Sequence, residues 1–208
     1  MALRRVISLS ASEDRLEKLI QERLQPGINK EEIDRRIWDL FGEVWCVMFT
    51  DLAGFSRRVA TFGIIHFLQI IYESQRLLVP IIEDYDGILL KTEGDSMLVI
   101  FRNVAKGLEC CKKMHQVLKD YNKSKPEEDH IVLCIGLGYG KMLRIGDEDV
   151  YGAEVNAASK LGEDTAGPWE VLVTNSVKEN AKGISNITFE HIDFIPPGAD
   201  AAYRVIFQ

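Results

Sequence analysis

From Val44 onward, short apolar runs alternate with long helical patterns, and that alternation commits the chain to an α/β fold: a sheet with helices laid on it. Residues 44–50 read as a first strand, followed by helices over about 52–60 and 64–85. Asp86-Gly87 turns the chain into a strand at 88–91, and Gly94-Asp95 turns it again into 96–101. A helix over 103–122 carries Leu108, Cys111, Met114, His115 and Leu118 on one face. A polar loop at 123–129 leads into a strand at 131–137 and a short one near 141–145. With 208 residues, 46% of them hydrophobic, one good core and an extension fit better than two full domains.

The extension is residues 1–42, ahead of a main domain at 43–208. Ser10-Ala11-Ser12-Glu13 has the form of a capping box, and Leu16, Leu19, Ile20 and Leu24 recur at helical spacing until Pro26-Gly27. Asn29 with Glu32 starts a second helix, whose apolar face is Ile33, Ile37, Trp38 and Phe41. Such a pair packs on its own domain or joins two subunits.

Several function classes fall away. A net charge of −7 disfavours a nucleic-acid partner, which calls for a basic face. No run is long and apolar enough for a membrane span, and the first residues lack the features of a signal peptide, so a cytoplasmic protein is expected. Cys46, Cys110, Cys111 and Cys134 lack CxxC spacing and read as packed, reduced thiols. The run Gly136-Leu137-Gly138-Tyr139-Gly140 lacks the Gly-Lys-Ser/Thr ending of a phosphate loop and is not followed by a helix. Gly138 and Gly140 are expected to mark a sheet bend or a close backbone approach.

Two aspartates carry the chemistry. Asp51, in Phe49-Thr50-Asp51-Leu52-Ala53-Gly54-Phe55-Ser56, and Asp95, in Lys91-Thr92-Glu93-Gly94-Asp95, each adjoin an apolar strand and a glycine. Brought together, two such carboxylates repel unless a divalent cation lies between them. Hard oxygen ligands suit Mg²⁺ or Mn²⁺, with a substrate phosphate completing the coordination. A plainer account stays open: Asp51 as a helix cap and Gly94-Asp95 as an ordinary hairpin turn. Farther along, a helix over about 153–161 puts Asn156 and Lys160 at i and i+4 on one face, suited to a phosphorus centre or simply to solvent.

Taken in order, Phe49–Ser56, Lys91–Asp95, and Asp149-Val150-Tyr151-Gly152 with Val155-Asn156 and Lys160-Leu161 resemble the catalytic domain of class III nucleotidyl cyclases, the adenylyl and guanylyl cyclase family. The resemblance implies a ferredoxin-like, largely antiparallel sheet flanked by helices, working as a homodimer with shared sites. It implies that Asp51 and Asp95 hold two Mg²⁺ or Mn²⁺ ions, and that backbone amides of Leu52, Ala53, Gly54, Phe55 and Ser56 face the phosphates of a nucleoside triphosphate. Lys91 and Asp149 fall at the purine-reading positions. A cation donating to ring N1 and a carboxylate accepting from the 6-amino group favour ATP over GTP. Asn156 would orient the ribose, and Lys160 stands where the family usually has an arginine that stabilises the transition state.

The departures from the family are specific. Lysine at 160 keeps the charge but not the planar fork of arginine. The stretch from Gly140 to Asp149 is short for the usual hairpin arm. Ile195-Pro196-Pro197-Gly198 lacks the lysine that many relatives direct at the triphosphate, and Arg144 is a candidate substitute. The reading is therefore adenylate cyclase, with a cyclase of other base preference or a nucleotide-binding module without turnover as alternatives.

Overall fold

A single sheet organises the computed structural model, which describes residues 11–181 and 183–208 and, for residues 55–58, the backbone alone. Its strands are β1 (Gly42–Leu52), β2 (Ile88–Glu93), β3 (Ser96–Phe101), β4 (Leu133–Ile145), β5 (Asp149–Tyr151), β6 (Val171–Thr174), β7 (Ile187–Ile192) and β8 (Ala202–Phe207). The helices are α1 (Ala11–Arg23), α2 (Lys30–Phe41), α3 (Phe55–Phe62), α4 (Ile64–Asp84), α5 (Val104–Asn122), α6 (Ala153–Ser159) and α7 (Asn175–Asn180). The order across the sheet is β2-β3-β1-β4-β6-β8-β7, with β5 paired to β4. All of these pairings are antiparallel except that of β4 with β6. The path β1, α3 and α4, β2, β3, α5, β4 with spatial order β4-β1-β3-β2 is the ferredoxin-like arrangement the family resemblance implied.

The two-residue period of β1 sorts its side chains onto two faces. Cys46, Met48 and Leu52 enter the main core with Phe67, Ile70, Leu78 and Ile82 of α4 and Leu108, Cys111, Met114 and Leu118 of α5. Burial of a large apolar side chain contributes roughly 1.5–3 kcal/mol, so this layer anchors the fold. Trp45 and Val47 point the other way and pack with Leu98, Ile100, Met142, Val155 and Ala158. Asp51 continues that second face at the end of the strand. All four cysteines are free and buried; burial raises their thiols, Cys134 to about 11, which leaves them as packing groups.

The glycine run does not interrupt the strand. β4 is one strand of 13 residues, where two were expected, and its glycines serve close approach instead. A Cβ at Gly136 would stand 2.2 Å from the Ala158 carbonyl oxygen, and one at Gly138 2.4 Å from that of Glu154. The main chain of α6 thus lies directly on the strand. At Gly140 the nearest atom is Glu154 Cγ at 3.1 Å, on a side chain that can yield. We expect Gly136→Ala and Gly138→Ala to cost about 3 kcal/mol or more, and Gly140→Ala about 1 kcal/mol or less. Chemical denaturation checks this, and equal costs at all three positions would contradict the packing argument.

The N-terminal helices lie on the same chain. Asn29 caps α2, accepting from the Glu32 amide at 3.4 Å, as its sequence position predicted. Ser10, the expected cap of α1, lies outside the described residues. Arg23 bonds Asp34 at 2.6 Å and Arg36 bonds Glu22 at 2.7 Å, but these pairs are substantially exposed and contribute little each. The attachment is apolar: Leu19, Ile33, Ile37 and Phe41 bury against Leu143 and Ile145 of β4.

Candidate active site

Asp51 and Asp95 meet where β1 ends beside the β2–β3 hairpin. Register places Thr50 opposite Met97, so the two-residue turn Gly94-Asp95 arrives next to Asp51. Gly94 takes a φ of 60°, which a side chain would resist. Asp51 is in the strand and is not a helix cap; the residue before α3 is Gly54, at φ 82°. The hairpin-turn account of Asp95 is correct, and the turn is what delivers the carboxylate.

The electrostatics are those of a pair short of positive charge. The two carboxyls lie close enough for each to perturb the other. Burial raises Asp51 most, followed by the Asp95 charge, while a 3.3 Å bond from Ser96 Oγ opposes the shift. Burial also raises Asp95, against bonds from its own amide and that of Leu52. Asp95 Oδ2 is buried without a hydrogen-bond partner among the described residues. An unpartnered buried oxygen beside a carboxyl raised toward neutrality fits a site that exchanges a proton for a hard cation. No third His, Cys, Asp or Glu completes a metal cluster among the described residues, so further ligands would be backbone, substrate or water oxygens.

Lys91 and Asp149, 58 residues apart in sequence, are joined by a 3.0 Å bond from Nζ to Oδ2. Lys91 also reaches Glu93 at 3.0 Å, and the Tyr151 hydroxyl donates to Asp149 at 3.3 Å. The β4–β5 hairpin makes this meeting possible, since Asp149 pairs with Ile145 across a turn through Gly146 at φ 62°.

Helix α6 does not end at 161 as a regular helix. It passes into a π-helical segment, Lys160–Thr165, whose Gly162 rests on Gly136 and on the Phe49 carbonyl. Asn156 and Lys160 are both exposed, and Lys160 Nζ bonds Asp164 at 2.5 Å. The same segment brings Glu163 near enough to raise both Asp51 and Asp95 by its charge. Sequence reading passed over Glu163, Ser96 and Tyr151. Ser96 could have been found as the residue after Asp95; Glu163 carries no signal until the wider turn is known.

Of the amides expected to face phosphate, that of Ala53 donates to the Val132 carbonyl at 2.9 Å within the sheet, and that of Leu52 is directed at Asp95. Gly54, Phe55 and Ser56 remain, at the start of α3, where Gly54 has no side chain to cap the first turn. Arg144 is only 17% exposed, bonds Asp147 at 3.0 Å and lies 5.2 Å from the centre of the Trp45 ring.

The profile of the adenylate and guanylate cyclase catalytic domain matches residues 41–196, a span that includes every one of these groups. The chain belongs to this cyclase family. It is 27% identical over 160 residues, 77% of its length, to a Rhizobium meliloti (strain 1021) protein named "Putative adenylate cyclase 3". It is 30% identical over 131 residues, 63% of its length, to the Myxococcus xanthus serine/threonine-protein kinase pkn2. The chain spans 26% and 16% of the lengths of these two relatives. The adenylate/guanylate cyclase/hydrolase structure from Silicibacter pomeroyi superposes with a TM-score of 0.64 at 23% identity, covering 79% of this chain and 95% of that one. The guanylate cyclase domain from Catenaria anguillulae in complex with GTP gives 0.65 at 17% identity, over 80% and 97%. At these identities the superpositions establish the cyclase fold, and base preference has to be argued from Lys91 and Asp149. No helix among the described residues is long and apolar enough to cross a membrane.

Proposed function

We propose that this cyclase is an adenylate cyclase, forming 3′,5′-cyclic AMP and pyrophosphate from ATP. The observation that carries the reading is the Lys91–Asp149 bond. Held together, an ammonium and a carboxylate present a donor beside an acceptor, complementary to adenine N1 and its 6-amino group; guanine reverses both demands. Glu93 holds Lys91 protonated first, burial opposes it, and Asp149 adds to the holding, so the donor persists well above neutral pH.

When bound at Asp51 and Asp95, Mg²⁺ or Mn²⁺ neutralises triphosphate charge and makes the ribose 3′-hydroxyl a better nucleophile. The amides of Gly54, Phe55 and Ser56 at the start of α3 orient the phosphates. Asn156 positions the ribose, and Lys160 supplies a point charge toward the phosphoryl oxygens after leaving Asp164. Arg144 is assigned to the triphosphate only as a second cation, since it is already engaged by Asp147. Two copies assemble the site, with Asp51 and Asp95 from one and Lys91, Asp149, Asn156 and Lys160 from the other.

Purified protein is incubated with Mg²⁺ or Mn²⁺ and each of ATP, GTP, CTP and UTP, and products are resolved by chromatography. Cyclic AMP from ATP alone supports the proposal. Cyclic GMP or a cyclic pyrimidine nucleotide reassigns the base, and binding without product makes the chain a non-catalytic nucleotide module. In the same assay Lys160→Arg is expected to match or exceed the wild-type rate, because the guanidinium keeps the charge and adds a bidentate fork. A tenfold loss would mean that the site is built around lysine.

A further inference from the structure

A cavity of about 720 Å³ opens beside Lys91 and Asp149, and its outer wall is α1, which precedes the family match. The volume is in the range of small-ligand sites. Leu16 and Ile20 of α1 stand on one side of it, four residues apart, while Leu90 and Ile145 line the catalytic domain's side. Two apolar walls with polar ends are the shape a flat heterocycle requires. Gln21 also lines the cavity, with its amide nitrogen bonded to Glu17 Oε1 at 3.0 Å. That bond uses one amide hydrogen and leaves the second, and the carbonyl oxygen, for a ligand. The helix is held in place by fully buried Leu19, packed with Ile33 and Ile37 of α2.

We propose that α1 forms a wall of the nucleobase pocket of its own chain. Leu16 and Ile20 lie against the ring, and Gln21 is a selectivity residue reading the edge of adenine opposite Lys91. A glutamine amide pairs in two places with adenine, donating to N7 and accepting from the 6-amino group, whereas guanine offers two acceptors there. The 6-amino group has two hydrogens, one for Asp149 and one for Gln21, so the two contacts do not compete. The inference rests on the base-reading role of Lys91 and Asp149 and adds a third reader from outside the matched domain.

The test measures binding of 3′-deoxy-ATP and 3′-deoxy-GTP, which lack the attacking hydroxyl, to the full chain with Mg²⁺ by calorimetry. Gln21→Ala is expected to weaken the adenine analogue about tenfold and leave the guanine analogue within about twofold, consistent with the discrimination of one bidentate pair. Ile20→Trp, which fills the slot, should weaken both at least about tenfold while the circular dichroism spectrum is retained. Gln21 is exposed, so its variant is informative even if Ile20→Trp fails to fold. If Lys91→Ala weakens the adenine analogue and Gln21→Ala does not, the inference is overturned and the base assignment stands. If Lys91→Ala has no effect either, the base assignment fails and takes this inference with it. Tighter binding by Gln21→Ala would show that α1 obstructs the pocket, which also overturns it.

Discussion

Alanine at Asp51 or Asp95 is expected to lower cyclic nucleotide formation by on the order of 10³-fold or more and to leave the protein folded. Each is half-buried at a sheet end, so truncation leaves no large void, yet either change removes half of the charge that would hold the metal ions. Wild-type activity in either variant would refute the metal assignment. The pair also makes a pH signature. Burial, reinforced by the Asp95 charge, raises Asp51 to about 7. A carboxyl raised on folding binds more protons in the native state than in the unfolded chain, where its value is about 4. Its contribution to stability is therefore full at low pH, declines from about pH 4 and levels off above about 7. Metal-free protein should lose melting temperature across that window, Asp51→Asn should lose less, and Mg²⁺ or Mn²⁺ should restore the wild type at pH 8. Parallel melting curves for wild type and Asp51→Asn would argue against a raised Asp51 carboxyl.

The second large effect concerns the base. Lys91→Ala should lower kcat/KM for ATP about 10- to 100-fold, the range expected on losing a charge-assisted hydrogen bond of about 1.5–3 kcal/mol. It should also narrow the ratio between ATP and GTP, because Asp149 then faces either purine alone. The loss should appear chiefly in KM, since the residue is assigned to the base and not to the reacting phosphorus. Steady-state kinetics with both nucleotides decide it: an unchanged ATP-to-GTP ratio would remove Lys91 from base recognition.

What could be read from the sequence depended on the range of the interaction concerned. Apolar period identified β1 and the buried face of α5, and Asn29 marked the start of α2, because each is set by neighbours a few residues away. The Asp51 and Asp95 blocks were legible as strand-end carboxylates, but strand register was needed to put them in contact. The glycines of β4 were noticed with a bend or a close approach as their expected role, and close approach is what the structure shows: they admit the α6 backbone, and the strand continues through them. Glu163 was invisible because regular helical spacing misplaces it, and only the wider turns of residues 160–165 bring it toward the aspartates. The α1 wall of the cavity was equally hidden, since no pattern within residues 11–23 says which surface the helix will meet.

The contact between α6 and β4 is made main chain to main chain at two points, with Gly136 and Gly138 beneath and the carbonyls of Ala158 and Glu154 above. Its position is therefore indifferent to the identity of the residues facing outward from it. Positions 156, 160 and 163 can drift without shifting the platform that carries them. Lysine or arginine at 160 would then be different tools on an unchanged mount, and other chemistries could be explored at those positions while the glycines stay fixed.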